Sequence, residues 1–121
     1  MSQKDSFVLG RIIRYCDDIA SILNTIDGNY QRYQDEIVYQ YALNMCLLQI
    51  GELVNHCSRE LIEAHPDIPW KYARAMRNLC AHDYDSAQPE IIWTTLTMDI
   101  PAFKAQLQAL LASMDGKSTN T

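Results

Sequence analysis

Residues 71–84 read Lys-Tyr-Ala-Arg-Ala-Met-Arg-Asn-Leu-Cys-Ala-His-Asp-Tyr, and four of them, Arg77, Asn78, His82 and Tyr84, carry side chains capable of chemistry. Arg77 is a planar donor of fixed charge that suits a phosphate. His82 gives and takes a proton near neutral pH. Together they suffice to break a phosphodiester without a metal. The imidazole acts as general acid or base on a 2′-hydroxyl or a leaving oxygen, and the guanidinium neutralises charge developing on the phosphoryl group. Lys71 and Arg74 bring two further cations, and no carboxylate occurs from Ile68 to His82. The segment is therefore a candidate phosphate-binding face on about two helical turns.

Spacing constrains how these residues cooperate. Five residues at about 100° each set Arg77 and His82 about 140° apart around a helix. They converge if the helix ends before His82, or if two copies of the chain meet across a two-fold axis. Asn78 and His82, four apart, share a face, so Asn78 can orient the imidazole or a phosphate oxygen. Plainer roles fit the same residues. Lys71, Arg74 and Arg77 suit a solvated face, His82 a cation at a helix C-terminus, and Tyr84 an amphipathic side chain closing a helix end.

The elements that must position this segment read as helices. Leu9, Ile12, Cys16, Ile19, Leu23 and Ile26 make one apolar stripe on a first helix from about Ser6 to Ile26, stopped by Asp27-Gly28-Asn29. A second helix is expected from about Gln34 to Ala64. It carries two apolar lines, one through Val38, Tyr41, Met45 and Leu48 and another through Leu43, Leu47, Ile50, Val54, Cys57 and Leu61. Two lines suit a central helix of a bundle, and also a helix shared with a second subunit. The two prolines of His65–Trp70 break the chain before a third helix that begins near Trp70 and ends near His82 or Tyr84. Residues 83–88 read as a turn. A last helical region runs from Pro89 to about Met114, where Pro101 is expected to kink or split it, with Asp99 as the new N-cap. No segment alternates with period two. The reading is an all-α, four- to five-helix up-and-down bundle spanning residues 1–115, followed by a flexible tail at 116–121.

Several classes drop away. At 121 residues and 48% apolar the chain suits one domain with a real core. No uninterrupted apolar run approaches the roughly 18 residues that span a bilayer, and no signal peptide is apparent, so a cytoplasmic protein without a membrane partner is expected. Cys16, Cys46, Cys57 and Cys80 are widely spaced and read as reduced core thiols. His56, Cys57, Cys80 and His82 have no recognised zinc-ligand spacing, so neither a metal nor a cofactor is implied. Trp70, Tyr72 and Trp93 read as packing residues. Glu52 lies on an otherwise apolar helix. It suits a polar line that pairs with His56, or a residue that lines the cleft or contacts the motif of its own or the second subunit.

Beyond these readings, Arg77-Asn78-x-x-x-His82-x-Tyr84 resembles the R-x4-H-x-Y motif of the HepT-like branch of the HEPN superfamily. Gln49-Ile50-Gly51-Glu52, Ile68-Pro69-Trp70, Ile91-Ile92-Trp93 and Asp99-Ile100-Pro101 resemble further blocks of that family in the same order, so the resemblance covers about Phe7 to Leu111. It implies a homodimeric HEPN-type bundle with both motifs in one cleft. It also implies a toxin that cuts RNA without metal, paired with an MNT-type nucleotidyltransferase antitoxin that transfers AMP from ATP onto the motif tyrosine. Carried over by position, Arg77 and His82 would be catalytic, Asn78 supporting, and Tyr84 the AMP acceptor. An adenylylated Tyr84 would place bulky anionic phosphates two residues from His82 and occupy the cleft. Lys71 and Arg74 would bind RNA phosphates.

The alternative from another class is a non-catalytic binding or adaptor subunit of such a nucleotidyltransferase, which would tolerate His82→Gln. A purely structural dimer would leave the motif far from any cleft. The charge balance, 10 Lys and Arg against 15 Asp and Glu, gives −5 overall. It argues against a protein that coats nucleic acid through bulk charge and suits a small, selective phosphate site.

Overall fold

The computed structural model describes residues 2–82 and 89–119, and among these no strand occurs. Helix α1 (Gln3–Thr25) starts on Ser2, whose hydroxyl accepts from the Asp5 amide. It buries Leu9, Ile12, Cys16 and Ile19 as the stripe requires. It stops where expected: Asp27 and Gly28 adopt φ of 55° and 63°, and the Gly28 amide returns to the Leu23 carbonyl at 2.9 Å.

The single long second helix is not observed. It divides into α2 (Tyr30–Asp35), α3 (Ile37–Val54) and α4 (Arg59–Ala64). The first break lies at Glu36, held in an extended conformation (φ −113°, ψ 102°) that ends α2 and opens α3. The second has a clear cause in Asp5, whose buried carboxylate reaches across 53 residues. It accepts from the Ser58 amide at 2.9 Å and the Ser58 hydroxyl at 2.6 Å. That hydroxyl also caps α4 by accepting from the Leu61 amide at 3.1 Å. A serine engaged this way stands at an N-cap, outside a continuing helix.

Helix α5 (Trp70–His82) carries the motif segment. Helix α6 (Pro89–Thr94) runs through a π turn at Thr95–Asp99 into α7 (Ile100–Thr119). The split expected at Pro101 therefore does not occur. The backbone stays helical through Ile100, whose amide bonds the Thr95 carbonyl five residues back. The wider turn relieves crowding ahead of a proline that cannot donate. Asp99 does not cap the helix, and its carboxylate accepts a hydrogen bond from the Tyr72 hydroxyl instead.

Helix α3 packs most extensively against α5 and α1, and α1 also packs on α7. Of the two apolar lines expected on the central helix, one is buried at Leu43, Leu47, Ile50 and Val54. The other surfaces at Val38, Tyr41 and Met45, joined there by Ile37. By length and composition alone α3 would pass for a membrane span, yet its buried side chains belong to the common core. Trp70 is buried edge-on to Phe103, and Trp93 packs with Tyr30 and Tyr33. The four cysteines are free and buried. Burial pushes the thiol of Cys16 up to about 12 and those of Cys46, Cys57 and Cys80 up to about 11.

The Asp5–Ser58 clamp joins two helix starts that nothing local connects. Asp5→Ala is expected to lower the unfolding free energy in urea by about 2–3 kcal/mol, because it leaves the Ser58 donors unpaired in the interior. Asp5→Asn, which keeps one acceptor, should lose less. Equal midpoints for Asp5→Ala and wild type would contradict the clamp.

Candidate active site

The site forms where α5 crosses the C-terminal half of α3. Gly51 faces α5 there. A Cβ at position 51 would overlap the Cβ of Arg77 and stand 3.0 Å from the Ala73 carbonyl oxygen. The two backbones thus approach closer than any side chain at 51 permits. The next residue, Glu52, projects from the edge of the same contact, and its carboxylate accepts a hydrogen bond from Nε of Arg77. Nη1 of Arg77 donates to the Asn78 side-chain carbonyl at 2.9 Å.

Two groups therefore fix the plane of the guanidinium. Among the described residues its other N–H donors have no partner and are available to an oxyanion. About a third of each side chain in the Glu52–Arg77 pair is exposed, so the site opens to solvent. Glu52 pairs across helices with Arg77, the contact with its own chain's motif that the sequence offered as the alternative to a pairing with His56, one turn on. The i, i+4 rule sees only neighbours on one helix and has no signal for a partner 25 residues away.

The other cations differ among themselves. Lys71 is exposed. Arg74 is half-buried, its Nε enclosed without a hydrogen-bond partner among the described residues. Its charge lies close enough to Cys57 to counter part of the rise that burial imposes on that thiol. No carboxylate within 4 Å pairs with either among the described residues.

Tyr72 is only partly packed. Its hydroxyl bonds the Thr95 hydroxyl at 2.7 Å and donates to Asp99 at 2.9 Å, tying α5 to the π turn. Burial raises its pKa, the hydrogen bond with Thr95 opposes that rise, and the Asp99 carboxylate adds to it. Sequence reading missed Thr95 and Asp99 as supports of the motif helix. The cue was present in a threonine one turn before an Asp-Ile-Pro, but its meaning depends on the π turn.

Helix α5 is helical as far as His82, so position 82 lies about 140° around the axis from Arg77. The side chain of His82 lies outside the described residues, as do Tyr84 and the turn expected at 83–88. Among the described residues no three His, Cys, Asp or Glu side chains gather as metal ligands.

Fold and site together define an all-α domain whose cationic motif helix is clamped against a central helix. The chain belongs to the family described as Ribonuclease HepT-like, which it matches over residues 12–110. It is 28% identical over 110 residues to a Methanocaldococcus jannaschii protein named "Putative RNase MJ1216", covering 91% of this chain and 89% of that one. It is 28% identical over 105 residues to the "Probable ribonuclease HepT" of Thermococcus cleftensis, covering 79% of this chain and 92% of that one. A Caldanaerobacter subterraneus protein named "Putative RNase TTE0752" is 28% identical over 103 residues, covering 85% and 90%. No solved structure gives a significant match.

Gly51→Ala is a test of sign. In an ordinary helix interior the change stabilises by up to about 1 kcal/mol. Here it should destabilise by about 1–3 kcal/mol, because Arg77 and the α5 backbone must retreat. A denaturation midpoint that rises would show that the two helices are not in the close contact described.

Proposed function

We propose that this chain is a metal-independent endoribonuclease acting as a homodimer, the toxin of a pair whose nucleotidyltransferase antitoxin silences it by adenylylating Tyr84. The observation that carries the reading is Arg77. It is held in one orientation by Glu52 and Asn78, its other donors without a partner among the described residues, on a helix that also carries Lys71, Arg74 and position 82. Membership of a ribonuclease family makes the phosphate an RNA phosphodiester.

In the reaction, a His82 imidazole removes the proton of the 2′-hydroxyl. The oxygen attacks phosphorus, and the bond to the 5′-oxygen breaks as that oxygen takes a proton from a His82 imidazolium, leaving a 2′,3′-cyclic phosphate and no net change in protons. Arg77 donates to the phosphoryl oxygens as charge builds on them. Glu52 and Asn78 are positioning residues that hold the guanidinium, and Lys71 and Arg74 attract the flanking phosphates.

Dimerisation has two supports. Since α5 is continuous to His82, Arg77 and position 82 face different directions within one chain, and a two-fold axis would let the groups of two copies meet. The exposed apolar line Val38, Tyr41, Met45 on α3 leads along the same face to Glu52, where a second α3 would cover it. A cytoplasmic location fits reduced, buried thiols.

The test is cleavage of single-stranded RNA by purified protein in excess chelator. Wild type should yield cyclic-phosphate ends. Arg77→Ala and His82→Ala should each fall by about a hundredfold or more while keeping their helical content. His82→Gln retaining activity, or wild-type RNA left intact, would overturn the nuclease reading. Val38→Asp with Met45→Asp should give a monomer in light scattering and lose cleavage. Co-expression with the neighbouring gene should add mass in AMP units that Tyr84→Phe abolishes, and an unchanged mass would remove the antitoxin step.

A further inference from the structure

The Lys and Arg side chains among the described residues fall into two groups. Arg32, Arg59, Arg77 and Lys104 each stand against a carboxylate, from Glu36, Glu63, Glu52 and Asp17 respectively. Lys4, Arg11, Arg14, Lys71 and Arg74 do not, among the described residues. Lys71 and Arg74 belong to the site on α5. The other three lie on α1, where Lys4, Phe7, Arg11 and Arg14 recur at steps of three and four on the face opposite the buried stripe. All four are exposed, and Phe7 leaves 67% of its surface in solvent. Phe7, Arg11, Arg14 and Tyr15 line an open groove, with Asp18 as the one carboxylate at its far end. Gly10, between Phe7 and Arg14 in sequence, has no neighbour within 4 Å of where a side chain would begin, so helix backbone is bare there.

This face needs an occupant that is anionic along its length and offers flat rings. A helix that only met water would not gain from an exposed phenylalanine between Lys4 and Arg11, neither paired with a carboxylate among the described residues. Single-stranded RNA supplies both features, phosphates for the guanidinium groups and bases for the aromatic ring. The position is also right. The Asp5–Ser58 clamp sets the start of α1 beside the C-terminal end of α3, the half that carries Gly51 and Glu52. The groove therefore lies level with the cleavage site along the bundle axis, with α3 between them.

We propose that the outer face of α1, from Phe7 to Tyr15, is a second RNA-binding site that holds the strand beyond the phosphodiester being cut. Arg11 and Arg14 contact phosphates, and Phe7 stacks on a base. The inference rests on the ribonuclease reading for its substrate, but its test is a binding measurement that does not require cleavage.

A 20-nucleotide single-stranded RNA is titrated at several salt concentrations with the full-length protein carrying His82→Ala, with and without Arg11→Glu/Arg14→Glu. The double reversal should weaken binding by about tenfold or more and flatten the slope of log K against log salt by about 1.4, two phosphate contacts on a single strand. Phe7→Ala should weaken binding by about fivefold or more and leave that slope unchanged. On the wild-type background Arg11→Glu/Arg14→Glu should raise KM for long RNA and leave the cleavage of a dinucleotide as it was. Equal affinity and slope for the parent and the reversed protein would overturn the proposal. So would an unchanged RNA titration in a variant that no longer binds an acidic protein partner, which would assign the face to that partner. If wild type cleaves neither substrate, the nuclease reading fails while the titration still decides whether α1 binds RNA.

Discussion

The missing side chain at position 51 sets the distance between the central helix and the motif helix. Two helices normally pack with axes about 8–10 Å apart, the separation fixed by the side chains at the contact. With hydrogen at 51, the backbone of α5 near Ala73 and the Cβ of Arg77 come directly against α3. Arg77 is thereby close enough for Glu52, the very next residue, to reach its guanidinium. A larger residue at 51 would move the arginine and its carboxylate apart together. The same narrow crossing brings Tyr72 and Met76 onto the π turn, where Thr95 serves both: its hydroxyl bonds that of Tyr72 and lies 3.6 Å from the Met76 sulfur.

About a third of the Arg77–Glu52 pair is in water, and its merit is geometric more than energetic. A lone arginine on a surface helix samples many rotamers and loses them all on meeting a phosphate. Held by Glu52 on one side and Asn78 on the other, the guanidinium has already lost that freedom. The cost is a carboxylate beside an intended anion, and unpaired Lys71 and Arg74 on the same helix offset it.

Helical periodicity made the bundle legible because apolar residues at steps of three and four have few other uses. Ile12, Ile19 and Leu107 lie where that pattern puts them. The motif helix and its start at Trp70 were equally plain, fixed by two prolines and a run without carboxylates. The break ahead of Ser58 was not legible, because the residue that holds Ser58 at an N-cap is Asp5, far away in sequence and silent in any local window. The same limit hid Tyr72–Asp99 and left Arg77–Glu52 as one of two readings. Each is a pairing of ordinary residues that only the packing of α5 brings together. Pro101 misled for another reason: a π turn lets a helix pass a proline that an α-helical ladder would not.

The Asp5–Ser58 clamp also orders events in time. A chain made from its N-terminus exposes α1 first, and the buried carboxylate has no donor until Ser58 has been synthesised. Helix α1 therefore cannot settle on α3 before the chain reaches that residue, and every cation of the motif helix comes later still. The core closes later again, because Phe103, Leu107 and Leu110 enter it from α7, so Lys71, Arg74 and Arg77 are made before the frame that holds them. Charge and frame are therefore joined only when α7 has been made, so the arginine that Glu52 orients is set in a finished core only near the end of synthesis.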